Sequence, residues 1–495
     1  MTSGSVGGAR PRGPAGGDVS ARAAALRVLV RVEQGAYAAP LVDRALEAMG
    51  RAEERALCAE LVYGCLRWQG ELDYVLGARL RRPASQLPAP VRAALRLGAY
   101  QLLHLDRVPD HAAVDTSVEL VRVQGLDGLA GLVNGVLRQV ARTGRPALPS
   151  DAVAAEAVAT SHPAWLVALW RRQYGEADAA RLLAYDNLPP PLSLRVRPSI
   201  GRDALAERLL QAGVAALPTA LSPSGLRLAH GGGVRSLPGY DDGAFVVQDE
   251  AAMLAVEWLG AAEGERVVDA CAGRGTKTLG LIDLVGERGA VLAVDNHAGK
   301  LAALAREAGR RHVEAKAAAD RPAMPATGLA IRHADARSLP GLVGPGGADR
   351  VLLDAPCTGL GVLRRRPELR WRRRPDDAAA LRALQVDLLA AAVDALAPGG
   401  EVLYVTCSTD EREDEDVVEN VLRERPGAEA APAAPHLPTA AGVVSGRLGC
   451  VRLFGPDTGT DSFFYARLRR RTSAKQGVAR PRANHGNGGD GSGGA

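Results

Sequence analysis

Between residues 250 and 468, short apolar stretches of strand character alternate with helical ones: Arg266 to Ala270, Val291 to Asp295, Leu329 to Ile331, Arg350 to Asp354, Glu401 to Thr406, and a late one through Phe463 to Leu468. Strands that alternate with helices read as crossover units, so the pattern predicts a Rossmann-like α/β domain with a parallel, doubly wound sheet. Such sheets bind ligands at the carboxyl ends of their strands. The reactive and polar residues of the segment fall at those ends. Cys271-Ala272-Gly273-Arg274-Gly275-Thr276-Lys277-Thr278 runs on from the first strand, Asp295 ends the second, and His333-Ala334-Asp335 ends the third. Asp354-Ala355-Pro356-Cys357-Thr358-Gly359 and Thr406-Cys407-Ser408 close the next two.

The rest of the chain divides by pattern. Residues 20–145 are helical throughout: Leu57, Leu61, Cys65, Trp68 and Leu72 recur every three or four positions, as do Val91, Leu95, Gly98 and Leu102, and Val114, Val118 and Val121. Such stripes predict an all-α bundle in which Cys58 and Cys65 are inert core thiols. Residues 150–248 mix a helix near Trp165 to Tyr174, the breaker Pro189-Pro190-Pro191, a strand Leu192 to Val196, a helix Arg202 to Gln211 and short strands near Leu226 and Ala244, which predicts a small α+β module. Residues 1–19 and 469–495 are poor in apolar residues and are expected to be disordered basic tails.

A chain of 495 residues allows about three domains. Its net charge of +5 is no global nucleic-acid signal, because the segment from Arg469 to Ala495 alone carries five Arg, one Lys and one Asp. Six Cys without a CxxC pair or a Cys/His cluster point to reduced thiols in a cytosol and to no structural metal. The first apolar stretch, Ala23 to Val32, is interrupted by Arg27 and Arg31, so neither a signal peptide nor a membrane span is expected.

Gly273 and Gly275 sit where a turn after a strand lets backbone N–H groups approach a nucleoside cofactor. The turn is not GxGxxG, and Thr276 stands where a Walker A loop needs Gly. Asp295 reads equally as an acceptor for ribose hydroxyls or as a cap on the following helix. His333-Ala334-Asp335 stands where such sheets place a polar residue beside an adenine. Two thiols at one sheet edge point to covalent chemistry. Between them runs Arg364-Arg365-Arg366-Pro367-Glu368-Leu369-Arg370-Trp371-Arg372-Arg373-Arg374. Seven Arg around one Trp read either as a solvated face or as an RNA contact made through Arg364, Arg365, Arg366, Arg370 and Trp371.

Taken together, the Gly turn, the Pro-Cys segment and the Thr-Cys segment resemble the NOL1/NOP2/Sun family of RNA cytosine-C5 methyltransferases. His111-Ala-Ala-Val-Asp-Thr-Ser-Val-Glu119 and Leu132-Val-Asn-Gly-Val-Leu-Arg138 are similar to the NusB-like RNA-binding domain of one branch, whose substrate is small-subunit rRNA. Ser161-His162-Pro163 and Val247-Gln248-Asp249-Glu250 resemble the segments that lead into its catalytic domain. The resemblance implies S-adenosylmethionine held by Cys271 to Lys277, Asp295, Asp335 and Asp354. It implies Cys407 as the nucleophile toward carbon 6 of cytosine, Cys357 as the thiol that assists product release, and Asp354 on the edge of the flipped base. A Pro-Cys nucleophile, as in DNA cytosine methyltransferases, is the alternative assignment.

The family turn reads Cys-Ala-Ala-Pro-Gly-Gly-Lys. Gly273, Arg274 and Thr276 depart from it, and a positive φ at Thr276 would be strained. Glu413-Asp414 replaces Glu-Asn, Asp461-Ser462-Phe463-Phe464 replaces Asp-Gly-Phe-Phe, and Val313 to Thr327 is expected to be a surface insertion. The expectation is a cytoplasmic, monomeric 16S rRNA cytosine-C5 methyltransferase. A tRNA methyltransferase and a catalytically idle rRNA-binding assembly factor are the alternatives; retention of Cys357, Cys407 and Asp354 speaks against the second.

Overall fold

The apolar stripes of the N-terminal segment close on one another in helices Ala21–Glu33, Ala38–Glu47, Ala52–Arg67, Gln69–Gly77, Ala89–His104, Asp110–Val123 and Ala130–Thr143. Leu26, Leu61, Leu72, Leu95, Leu97 and Leu137 are fully buried between them, as are Cys58 and Cys65, whose thiols burial pushes upward. In this computed structural model the described residues are 20–229, 233–318, 323–433 and 442–472. Residues 1–19 and 473–495, which make up the N-terminal tail and most of the C-terminal one, lie outside them.

The helix read near Trp165 to Tyr174 runs on from Ala164 to Asp186, broken at Gly175, whose φ of 77° is non-helical. Beyond it, β1 (Ser193–Val196), β2 (Ala216–Pro218), β3 (Gly225–Leu228) and β4 (Phe245–Val247) form an antiparallel sheet in the order β2-β3-β1-β4. Helix Arg202–Gln211 covers this sheet with Leu205 and Leu209.

The third unit holds β5 (Arg266–Asp269), β6 (Ala290–Asp295), β7 (Ala315–Ala317), β8 (Gly328–His333), β9 (Ala348–Asp354), β10 (Leu396–Thr406), β11 (Ala428–Ala431), β12 (Val443–Ser445), β13 (Val451–Leu453) and β14 (Phe464–Arg470). They make a ten-stranded sheet ordered β12-β13-β14-β10-β9-β5-β6-β8-β7, with β11 on β14. Strands β7 to β10, with β5 and β6, run parallel. The chain winds outward from β5 through β6 to β8, then returns to β9 on its other side, so β5 and β9 flank the point where strand order reverses. The sequence pattern gives this parallel core; β14, β11, β13 and β12 extend it antiparallel.

Two expectations are corrected. Val313 to Thr327 is not simply a surface insertion, because Ala315–Ala317 pairs with β8 as the sheet edge and Ala323 is buried in the core; residues 319–322 lie outside the described set. Nor does a tail begin at Arg469: that residue pairs with Glu401 across β14 and β10 and forms a 2.5 Å ion pair with it.

Candidate active site

Each β–α turn at the switch point delivers one piece of the site. After β5, Ala270 N donates to Leu352 O and Ala272 N to Val294 O, both at 2.9 Å, so the turn is pinned between β9 and β6. Gly273 (φ 58°) and Gly275 (φ 85°) take the left-handed positions. A Cβ on Gly275 would stand 2.8 Å from Leu304 Cγ, so this turn requires glycine for space as well as for conformation. Thr276 is the first residue of helix Thr276–Val285 and is free of the strain its sequence position implies, because Gly275 before it carries the positive φ. The helix N-terminus faces the turn and favours negative charge there.

Asp295, at the end of β6, accepts from Gly273 N at 2.9 Å and from His297 N at 2.8 Å. It anchors the turn and the loop into helix Ala298–Arg310, whose N-cap is His297 and not Asp295, and a carboxylate retains lone pairs for further donors. Asp269 is buried and accepts from Thr278 Oγ1 at 2.6 Å, and burial raises its carboxyl to about 7. Its other oxygen is buried without a hydrogen-bond partner. Asp335 is exposed and ion-pairs with Arg337 at 2.7 Å, which holds its carboxyl below the usual range. Arg274 is exposed, and the Cys271 thiol is pushed upward by burial and then by Asp354, Asp269 and Asp295.

Lys277 is buried, with its Nζ 2.6 Å from Asp354 Oδ2 at the end of β9. Burial works against its charge, but Asp354, with Asp269 and Cys407 behind it, raises it overall. Cys357, three residues past β9, and Cys407, one past β10, stand with their Sγ atoms 3.4 Å apart, both partly exposed. The hydrogen bond to Cys407 and then burial raise the Cys357 thiol well above its ordinary value, so Cys357 keeps its proton.

A network absent from the sequence reading holds the two thiol loops together. Glu413, fully buried, accepts from Thr358 N at 2.9 Å, Ser408 Oγ at 2.6 Å and Gln385 Nε2 at 3.1 Å, and from Thr358 Oγ1. Burial raises its carboxyl, while the hydrogen bonds from Ser408 and Thr358 oppose that rise. Gln385 Nε2 also donates to Pro356 O at 2.9 Å, and Gly361 N to Cys407 O at 2.8 Å. Asp414, where the resemblance leads one to expect Asn, is buried, accepts from Thr406 Oγ1 at 2.5 Å and lies 3.2 Å from Arg452. The sequence hints of this network are that Glu413 and Asp414 follow Cys407 closely and stand where the resembled family has Glu-Asn.

The arginine run is corrected. Arg370 has no exposed surface, and donates to Arg67 O at 2.9 Å, Asp186 O at 2.7 Å and Asn187 Oδ1 at 2.8 Å. Arg364 is buried on Pro189 O at 2.7 Å and on Tyr185, and Arg365 is paired with Asp461 at 2.9 Å and with Asp249. Trp371 packs on the helical domain so closely that a Cβ on Gly70 would fall 2.5 Å from its ring. Arg364 and Arg370 are committed to this interface, and Arg365 and Trp371, only partly exposed, spend their main contacts on it. Arg366 alone of the five is exposed, beside Tyr37.

Among the described residues no group of three or more His, Cys, Asp or Glu is placed to hold a metal ion, and no single helix is long and apolar enough to cross a membrane.

Three family profiles match the chain: 16S rRNA methyltransferase RsmB/F over residues 256–469, the NusB family over 19–142, and a RsmF/B-like ferredoxin-like domain over 162–235. The chain is 33% identical over 418 residues to a probable ribosomal RNA small subunit methyltransferase B of Bacillus subtilis (strain 168), covering 83% of this chain and 90% of that protein. It is 36% identical over 419 residues to ribosomal RNA small subunit methyltransferase B of Pseudomonas syringae pv. tomato, covering 84% and 89%. Its fold is similar to the crystal structure of PH0851, with a TM-score of 0.80 at 24% identity over 91% of this chain and 98% of that one.

Proposed function

The chain belongs to the RsmB/F family of 16S rRNA methyltransferases, and on that premise we propose that it methylates carbon 5 of one cytosine in small-subunit rRNA through a covalent bond to carbon 6. Carbon 5 is too poor a nucleophile to take a methyl group unaided. Addition of the Cys407 thiolate forms the Sγ–C6 bond, shifts the C5=C6 pair onto carbon 5 and makes it enamine-like. S-adenosylmethionine, when bound, supplies the methyl group that carbon 5 takes. The carbon 5 proton then leaves, its bonding pair re-forms C5=C6, and the Sγ–C6 bond breaks with both electrons returning to Cys407.

The observation that carries this reading is the 3.4 Å approach of Cys357 and Cys407 at the switch point. A Cys357 thiol that keeps its proton is a fitting partner for the departing Cys407 thiolate. Asp354, held by Lys277, stands at the same edge and can accept from the exocyclic amine of a flipped cytosine. The turn fits a nucleoside cofactor by its own features: Gly273 leaves its backbone uncovered, a helix N-terminus faces the turn, and Asp295 at the end of β6 keeps acceptor capacity for ribose hydroxyls. We assign Cys271 to Lys277, Asp295 and Asp335 to that cofactor. Arg366 is the one member of the run kept as an RNA contact.

Bisulfite sequencing of small-subunit rRNA, with and without the protein, is the direct test, and one protected cytosine is expected. Methylation found in tRNA and not in rRNA would overturn the substrate. In a denaturing gel with labelled rRNA, Cys407→Ala should give neither product nor adduct, whereas Cys357→Ala should accumulate protein on RNA. The reverse pattern would exchange the two roles.

A further inference from the structure

We propose that the turn Leu369–Arg373 links the seat of the N-terminal helical domain to the position of the Cys357 loop, with Arg373 as the positioning residue. The Arg373 guanidinium donates to Thr358 O at 2.6 Å and to Cys357 O at 3.2 Å, so one planar group spans consecutive carbonyls of the thiol loop. The N–H between those carbonyls goes to Glu413, and the residue before them is held through Pro356 O by Gln385. The loop therefore has few ways to turn that do not break a buried bond.

The other end of the turn is fastened to the helical domain. Arg372 donates to Val32 O at 2.8 Å and Gly35 O at 3.2 Å, and Arg370 to Arg67 O. Glu368 accepts from Ala38 N at 3.3 Å, and the Trp371 ring lies against Gly70. Arg373 N closes the turn on Leu369 O at 3.0 Å, so the residues that grip the helical domain and the residue that grips the thiol loop form one short rigid piece. The seat of the helical domain then sets the position of the Cys357 loop. A displacement of about 1 Å at a reacting group lowers a rate on the order of a hundredfold.

The inference rests on the reading that Cys357 serves release. Full-length Arg373→Gln and Arg372→Ala are compared with wild type on labelled rRNA and S-adenosylmethionine, measuring single-turnover product and the fraction of protein trapped on RNA. Both variants should form product about tenfold more slowly or worse, with a larger adduct fraction and unchanged affinity for S-adenosylhomocysteine. Arg373→Lys, which keeps the charge and one donor, should recover part of the rate; it also serves as the test variant if Arg373→Gln fails to fold. A slower rate with no rise in adduct would reduce Arg373 to a structural residue and overturn the proposal, as would an Arg372→Ala enzyme equal to wild type. A wild-type protein that gives neither product nor adduct would overturn the parent reading. An active wild type with unchanged variants overturns this inference alone.

Discussion

Arg370→Leu separates a phosphate contact from a buried clamp. The guanidinium has no exposed surface, and burial lowers its pKa only to about 10, so it is charged at neutral pH. It satisfies Arg67 O in the helical domain and Ser161 O, Asp186 O and Asn187 Oδ1 in the module. Leu fills part of the space but leaves four acceptors inside without a donor. Each hydrogen bond to a charged group contributes roughly 1.5–3 kcal/mol, but neighbours in one cluster do not add, so the expected loss is about 3–5 kcal/mol, the range for removing one partner of a buried charged network.

With a dependence of roughly 3 kcal/mol per molar urea, that loss lowers the unfolding midpoint by about 1–1.7 M. The RNA arm is the sharper one. Each phosphate contact on single-stranded nucleic acid contributes about 0.7 to the slope of log K against log salt, and a residue that touches no phosphate contributes nothing. Urea unfolding followed by circular dichroism and filter binding at several salt concentrations read the two effects. A slope lowered by about 0.7 with an unchanged urea midpoint would refute the clamp and restore Arg370 to the RNA surface.

Gly275→Ala should cost about 2–4 kcal/mol, combining a left-handed φ of 85° with overlap on Leu304, and should weaken S-adenosylmethionine binding in calorimetry; wild-type stability would show that the turn relaxes freely. Asp295→Ala removes the acceptor of Gly273 N and His297 N, and cofactor affinity should fall about tenfold or more, whereas an equal affinity would free Asp295 of any role in the turn. Asp269, raised to about 7 by burial, binds a proton in the folded state that the unfolded chain has lost above about pH 4. Its contribution to stability is therefore complete at low pH and declines as pH rises toward 7. Relative to Asp269→Asn, the wild type should lose up to about 1.4 kcal/mol per pH unit between pH 5 and 7 in urea titrations, and parallel stability curves would contradict the shift.

What the sequence could state is what local pattern carries. Apolar segments at strand length separated by helical ones predict that β5, β6, β8, β9 and β10 run parallel, and a common direction then places Cys271, Asp295, Asp335, Asp354, Cys357 and Cys407 at one edge; their order in the sheet is read from the structure alone. Strands of three or four residues such as β7, β11, β12 and β13 carry too few positions for any period, and they exist because a neighbouring strand offers them partners. The fate of Thr276 depended on which residues of the turn take positive φ, and two glycines already supplied it.

The arginine run shows the boundary most plainly. Seven guanidinium groups in eleven positions read alike as solvated or RNA-facing, because the charge of a residue is local and its burial is not. Arg370 is interior because Arg67 O stands 303 positions earlier in the chain, and Arg372 is held because Val32 O stands 340 earlier. Glu413 joins the two thiol loops across 55 positions in the same manner. Periodicity and turn chemistry are set by neighbours in sequence and can be read there, whereas desolvating a charge is tolerable only where distant segments bring acceptors to meet it, which is a property of the assembled fold.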